Sequence, residues 1–184
     1  MQKTPDVPPT QRFDGSHGPR IVGPTDGKAI DLGALGVRFM VWSAETGGQF
    51  SLVEHPIPPR TLAAPLHRHT REDEYSYVLE GRLGALLGDE VVYAEPGDLV
   101  FKPRNQWHTF WNAGDDPCRI LEIIAPGGFE GMFDEMGKWT VPPELDDVRA
   151  LNAAYGLDED FESIGPLCER FGLAFPAGVD QEPG

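Results

Sequence analysis

Apolar segments in this chain are short, evenly spaced and closed by turn residues, and this spacing limits the fold more than any other feature. Val37-Arg-Phe-Met-Val-Trp42 and Gln49-Phe-Ser-Leu-Val-Glu54 are split by Glu45-Thr-Gly-Gly48. Glu74 to Leu79, Leu83 to Leu87, Val91 to Ala94, Asp98 to Lys102, His108 to Asn112 and Arg119 to Ile124 follow. Between them stand Glu80-Gly81, Gly88-Asp89, Glu95-Pro-Gly97, Pro103-Arg-Asn105 and Gly114-Asp-Asp-Pro117. Runs this short cannot bury a helical stripe but suffice for strands. One strand every 8–12 residues or so, with such breakers, predicts an all-β sandwich or barrel and argues against a parallel α/β sheet.

The flanks read differently. Residues 1–35, with Pro5, Pro8, Pro9 and several Gly and Pro turns, read as an N-terminal arm, and 36–140 as the β domain. Beyond about Gly131 the period changes. Leu145, Val148, Leu151 and Tyr155 share one helical face, Gly156 is a stop, and a shorter helix is expected over Pro166 to Phe171. Residues 141–184 are therefore expected to form a C-terminal helical extension. No internal repeat is visible, which argues against a second barrel.

Charge and cysteine usage remove several function classes. Thirty acidic residues against 15 basic give a formal net charge of -15. Such a surface repels phosphate backbones and anionic lipid, so neither nucleic acid nor membrane is an expected partner. No apolar run approaches the ~20 residues of a membrane span. The first ten residues lack the apolar stretch of a secretory leader, and a cytoplasmic location is expected. Cys118 and Cys168, distant and unclustered, read as ordinary thiols.

Two stretches carry chemistry. In His67-Arg-His69-Thr-Arg-Glu-Asp-Glu74, strand alternation turns both imidazoles to one side, and after a tight turn Glu74 can aim its carboxylate at the same space. In Gly97-Asp-Leu-Val-Phe-Lys-Pro103-Arg-Asn105-Gln-Trp-His108-Thr-Phe-Trp-Asn112, His108, Phe110 and Asn112 share one face. Trp107, Thr109 and Trp111 share the other.

These stretches resemble the two motifs of the cupin superfamily. The first matches His-x-His, four residues, Glu, six residues, Gly, ending at Gly81. The second matches Gly, five residues, Pro-x-Gly, two residues, His, three residues, Asn. Thr61 stands where the family has a glycine six positions before the first histidine, and Asn105 replaces the Pro-x-Gly glycine. Asparagine tolerates left-handed backbone, so the turn should persist. The flanks Thr46-Gly-Gly-Gln-Phe-Ser-Leu-Val-Glu54 and Ala125-Pro-Gly-Gly-Phe-Glu130 are similar to those of single-domain bacterial cupins of the quercetin 2,3-dioxygenase type.

The resemblance implies a jelly-roll β-barrel with His67, His69, Glu74 and His108 as ligands of one divalent metal ion (Fe, Ni, Mn, Zn or Cu). It also implies that Glu74 accepts a proton from bound substrate. Independently, three imidazoles and a carboxylate inside a barrel make a poor interior without a cation. Four protein ligands leave a position open on a five- or six-coordinate ion, as catalysis requires.

By strand register the substrate pocket should be lined by Val78, Phe101 and Phe110, with Phe50 or Met40 as further candidates. Asn112 is expected to bond backbone, His55 to end a strand, and Glu54 and Glu72 to be exposed or ion-paired. Tyr75, Tyr77, Trp107 and Trp111 should face away from the metal, toward a sheet layer, the tail or a second subunit. With the arm, they point to a homodimer. The leading expectation is a metal-dependent oxygenase acting on a small aromatic or enolic compound. The alternatives are a non-redox isomerase, lyase or polyketide cyclase, and a non-catalytic small-molecule-binding module.

Overall fold

The computed structural model describes residues 21–176, so most of the expected N-terminal arm and His17 lie outside the described residues. Among the described residues eleven strands form two antiparallel sheets. The six-stranded sheet runs β1 (Ala29–Asp31), β2 (Gly36–Val41), β3 (Ser51–Ile57), β10 (Cys118–Ala125), β5 (Asp73–Glu80), β8 (Leu99–Lys102). The five-stranded sheet runs β11 (Leu157–Asp160), β4 (Leu66–His69), β9 (His108–Asn112), β6 (Leu83–Leu87), β7 (Glu90–Ala94). Helices α1 (Glu130–Met136), α2 (Leu145–Tyr155) and α3 (Ile164–Phe171) follow the barrel. The all-β expectation with a helical tail describes this chain.

The turn chemistry explains the connections. Asn105 has φ 65°, the left-handed value expected for a glycine substitute there. Gly156 ends α2 with φ 72°, a conformation that costs a side chain energy and glycine nothing. Three elements have no clear signal in the residue pattern. β1 pairs with β2 through Ile30↔Val37 inside the segment read as an arm. Helix α1 falls where the period changes, and β11 pairs with β4 through the acidic run Leu157 to Asp160.

Strand alternation builds the interior in layers. Along β10 the buried side chains are Cys118, Ile120, Glu122 and Ile124, and along β3 the alternating buried set is Ser51, Val53, His55 and Ile57. Ile57, Val78, Val100, Cys118, Ile120 and Phe110 belong to one apolar cluster. Val53, Ile124, Phe129, Met132 and Leu157 belong to another. Glu122 and His55 lie between these two apolar layers along their strands, with Ser76, Glu74 and Lys102 beside them on β5 and β8. The sheet thus carries a polar band across an otherwise apolar inner face.

A third apolar cluster sits outside the barrel. Trp111 stacks on Phe171 of α3 with centroids 4.3 Å apart. Gly84 allows the approach, because a Cβ there would meet Trp111 at 2.3 Å. The tail is held along the domain by Leu62 N–H to Ala174 O (2.9 Å) and Ala174 N–H to Arg60 O (2.7 Å). Trp111 does face away from the metal-side chains, but the chain's own tail covers it. It therefore offers no surface to a second subunit. No helix among the described residues is long and apolar enough to cross a membrane.

Candidate metal centre

Three strands bring the four motif side chains together. β4 supplies His67 and His69, β5 supplies Glu74, and β9 supplies His108, which pairs directly with His67. One ligand atom from each of these four residues lies within 4.8 Å of the others, and all four residues are buried. The His67 and His108 rings are 4.4 Å apart between centroids.

Backbone carbonyls two residues upstream set the ring orientations. His67 Nδ1–H donates to Pro65 O (2.8 Å) and His108 Nδ1–H to Gln106 O (3.0 Å). That tautomer leaves each Nε2 with a free lone pair, the form that binds a cation. Burial holds the His67 ring well below the usual imidazole range and lowers His108 too, which favours the neutral form of both; the neighbouring His108 and His69 add to this at His67.

His108 Nε2 is buried without a hydrogen bond, 3.3 Å from Glu74 Oε2. Lone pairs facing a carboxylate in a desolvated space need a cation between them. The donor set, three imidazoles and one carboxylate, suits a divalent transition metal, and these residues fit one.

The surroundings of Glu74 are more elaborate than the motifs indicate. Burial works to raise its carboxyl. The nearby His69 ring, the Lys102 charge and the approach of the His108 ring outweigh this and hold it well below the usual range. Lys102 is fully buried and lies 3.0 Å from Glu74 Oε2 and 3.1 Å from Glu122 Oε2. Burial opposes the Lys102 charge, but the two carboxylates overcome it and raise its pKa. Glu122 also accepts from Ser76 Oγ (2.7 Å), and burial pushes its carboxyl up to about 7 against the pull of Lys102. Glu72 is buried, with Oε2 3.8 Å from His69 Nδ1. Burial also pushes Glu72 up to about 7.

A cavity of about 640 Å³ opens onto this centre. Phe110, Phe129, Met132, Leu35 and Leu157 give it apolar walls, and His67, His69 and Glu74 line it too. His55, Glu122 and, from β11, Glu159 supply polar groups. Asn152 Nδ2–H of α2 donates to Glu159 Oε2 (2.8 Å).

The pocket residues expected from register divide. Phe110 lines the cavity, whereas Val78 is buried in the apolar layer beside it and does not border it. Phe101 requires a correction. It is 47% exposed and stacks outside the sheet on its cross-strand partner Tyr75, because Lys102 takes the inward position opposite Glu74. Phe50 and Met40 do not border the cavity either. His55 does not end its strand. It sits within β3, buried, with Nδ1–H donating to Gly36 O (3.0 Å).

Glu54 is ion-paired, with Arg38 and with Arg119, but it is buried rather than exposed. Asn112 bonds backbone as expected, donating to Ile57 O and Asp116 O and accepting from Gly114 N–H. Strict alternation along β8 and β10, with Lys102 two residues beyond buried Val100 and Glu122 between Ile120 and Ile124, was the signal for the buried pair. Glu159 lies in an acidic tetrapeptide without strand propensity and had no comparable signal.

The comparisons with known proteins agree with this geometry. Residues 54–124 match the family model described as a cupin domain. The chain is 35% identical over 60 residues to tetracenomycin polyketide synthase protein TcmJ of Streptomyces glaucescens, covering 33% of this chain and 40% of that protein. It is 30% identical over 116 residues to quercetin 2,3-dioxygenase of Aspergillus japonicus, covering 60% of this chain and 33% of the relative. The matches thus span half or less of both relatives. The polyketide cyclase RemF of Streptomyces resistomycificus superposes with a TM-score of 0.50 at 29% identity, over 59% of this chain and 80% of that one. With both motifs in place on two facing antiparallel sheets, the chain carries a cupin domain over residues 54–124.

Proposed function

We propose that this cupin is a metal-dependent enzyme acting on a small aromatic or enolic compound, and that it is an oxygenase. The observation that carries this reading is the open cavity of about 640 Å³, mostly apolar, ending on a buried three-histidine, one-glutamate cluster. His67, His69, Glu74 and His108 would hold the ion, which when bound supplies a Lewis-acidic position for a substrate oxygen. Phe110, Phe129 and Met132 pack against a flat apolar body and exclude water. Glu74 would accept the proton of a substrate hydroxyl or enol, with the Lys102 ammonium 3.0 Å from its Oε2.

A second reading, a non-redox polyketide cyclase, is favoured by the 29% identity to RemF over 80% of that chain. Both readings share the substrate class and differ in the need for oxygen. The test is oxygen consumption by iron-, nickel- or manganese-loaded protein with flavonols and catechols. Uptake coupled to substrate loss supports the oxygenase. Turnover that is unchanged under nitrogen in zinc-loaded protein supports the cyclase, and no turnover in either case sinks both.

We further propose a homodimer through the outer face of β5 and β8, where Tyr77, Leu79, Leu99 and Phe101 are exposed. Light scattering that returns a monomer mass at micromolar concentration refutes it. A cytoplasmic location is proposed with it, supported by two cysteines that are both free thiols.

A further inference from the structure

The C-terminal strand β11 lies outside the matched cupin domain, yet it places a carboxylate inside the barrel. Glu159 pairs with His67 across the β11–β4 ladder. Directly opposed residues of an antiparallel pair project to the same face with Cβ atoms roughly 4.5–5.5 Å apart. His67 projects into the cavity, and Glu159 borders the same cavity. Asn152, itself buried, holds one oxygen of the carboxylate. Among the described residues no lysine or arginine forms an ion pair with Glu159. This sets it apart from Glu122 and Glu74, whose charges Lys102 already offsets. A half-buried carboxylate with one oxygen unpaired at the wall of a mostly apolar cavity offers a place for a hydrogen-bond donor.

We propose that Glu159 is a substrate-contacting residue whose carboxylate accepts a hydrogen bond from a hydroxyl adjacent to the oxygen directed at the four-residue centre. It would thereby select compounds with two neighbouring hydroxyl or enol groups. The inference rests on the proposed function, since it takes the His67 side of the cavity as the place where substrate oxygen binds. It deepens that reading by naming a vicinal dioxygen pattern. In such a ligand one oxygen approaches the His67 side and its neighbour meets Glu159, while the ring lies against Phe110 and Phe129.

The test compares two probes, catechol and 2-methoxyphenol, which differ by methylation of the second oxygen. Binding to the zinc-loaded full chain is followed by calorimetry. The wild type should prefer catechol by about tenfold or more, as expected for a hydrogen bond to a charged group. Glu159→Gln should compress that preference to within about threefold while zinc content by elemental analysis is unchanged. Asn152→Ala keeps the carboxylate but frees it, and should give an intermediate preference even if the Gln variant folds poorly. Equal wild-type affinity for the two probes, a preference retained in both variants, or zinc lost on Glu159→Gln overturns the inference and leaves the proposed function standing. Failure of the wild type to bind either probe removes the phenolic reading and the inference with it.

Discussion

His55 offers a test of the polar band that does not depend on any substrate. The ring is 2% exposed, and burial pushes its pKa down to about 4. The hydrogen bond to Gly36 O and the charges of Glu74 and Glu54 oppose that shift, and Lys102 adds to it. In the unfolded chain the ring titrates near 6.5. The sign follows directly. Above about pH 6.5 the ring is neutral in both states and costs nothing. As pH falls, the unfolded chain takes up the proton first, so stability is lost progressively down to about pH 4, where the loss levels off.

At roughly 1.4 kcal/mol per pH unit the full loss is about 3 kcal/mol, and about 2 kcal/mol of it has appeared by pH 5. His55→Gln keeps a donor for Gly36 O but cannot titrate. Urea unfolding of chelator-treated wild type and variant at pH 7.5 and pH 5 isolates this contribution, because every other titrating group is common to both. The wild type should lose about 2 kcal/mol more than the variant over that range. Parallel losses would mean that the folded ring is protonated freely, and the buried polar band would have been misread.

Three more outcomes follow from the same interior. Glu72→Gln removes the carboxylate that faces His69 Nδ1 and should weaken zinc affinity about 10- to 100-fold by competition titration without changing the fold. Lys102→Met leaves Glu122 and Glu74 buried without their cation and should cost about 3–5 kcal/mol in urea unfolding; adding Glu122→Gln should recover part of it. Trp111→Ala empties the contact between β9 and α3 and should cost about 3–5 kcal/mol, with α3 losing hydrogen-exchange protection before the barrel does.

The strands and the four converging side chains were legible because both follow from alternation. β6 and β9 begin and end where the apolar runs do, at Leu83–Leu87 and His108–Asn112. His67 and His69 share a face because a strand has a period of two. Legibility ended where packing, not local pattern, decides. Phe101 is expected in the pocket from strand register, but Lys102 takes the inward position because Glu74 and Glu122 give its charge two partners. The strand β11 has no apolar alternation in Leu-Asp-Glu-Asp and forms because β4 offers an open edge. Trp111 faces away from the metal-side chains as alternation requires, but only the docked tail shows what covers it.

The proposed chemistry depends on one cation shared by His67, His69, Glu74 and His108. Elemental analysis of protein purified without chelator or added metal, set beside the His67→Ala, His108→Ala double variant, tests this most directly. The account predicts about one transition-metal ion per wild-type chain and essentially none in a double variant that retains its β-sheet circular dichroism. A wild type free of metal even after loading, or a folded double variant with the same metal content, would contradict it.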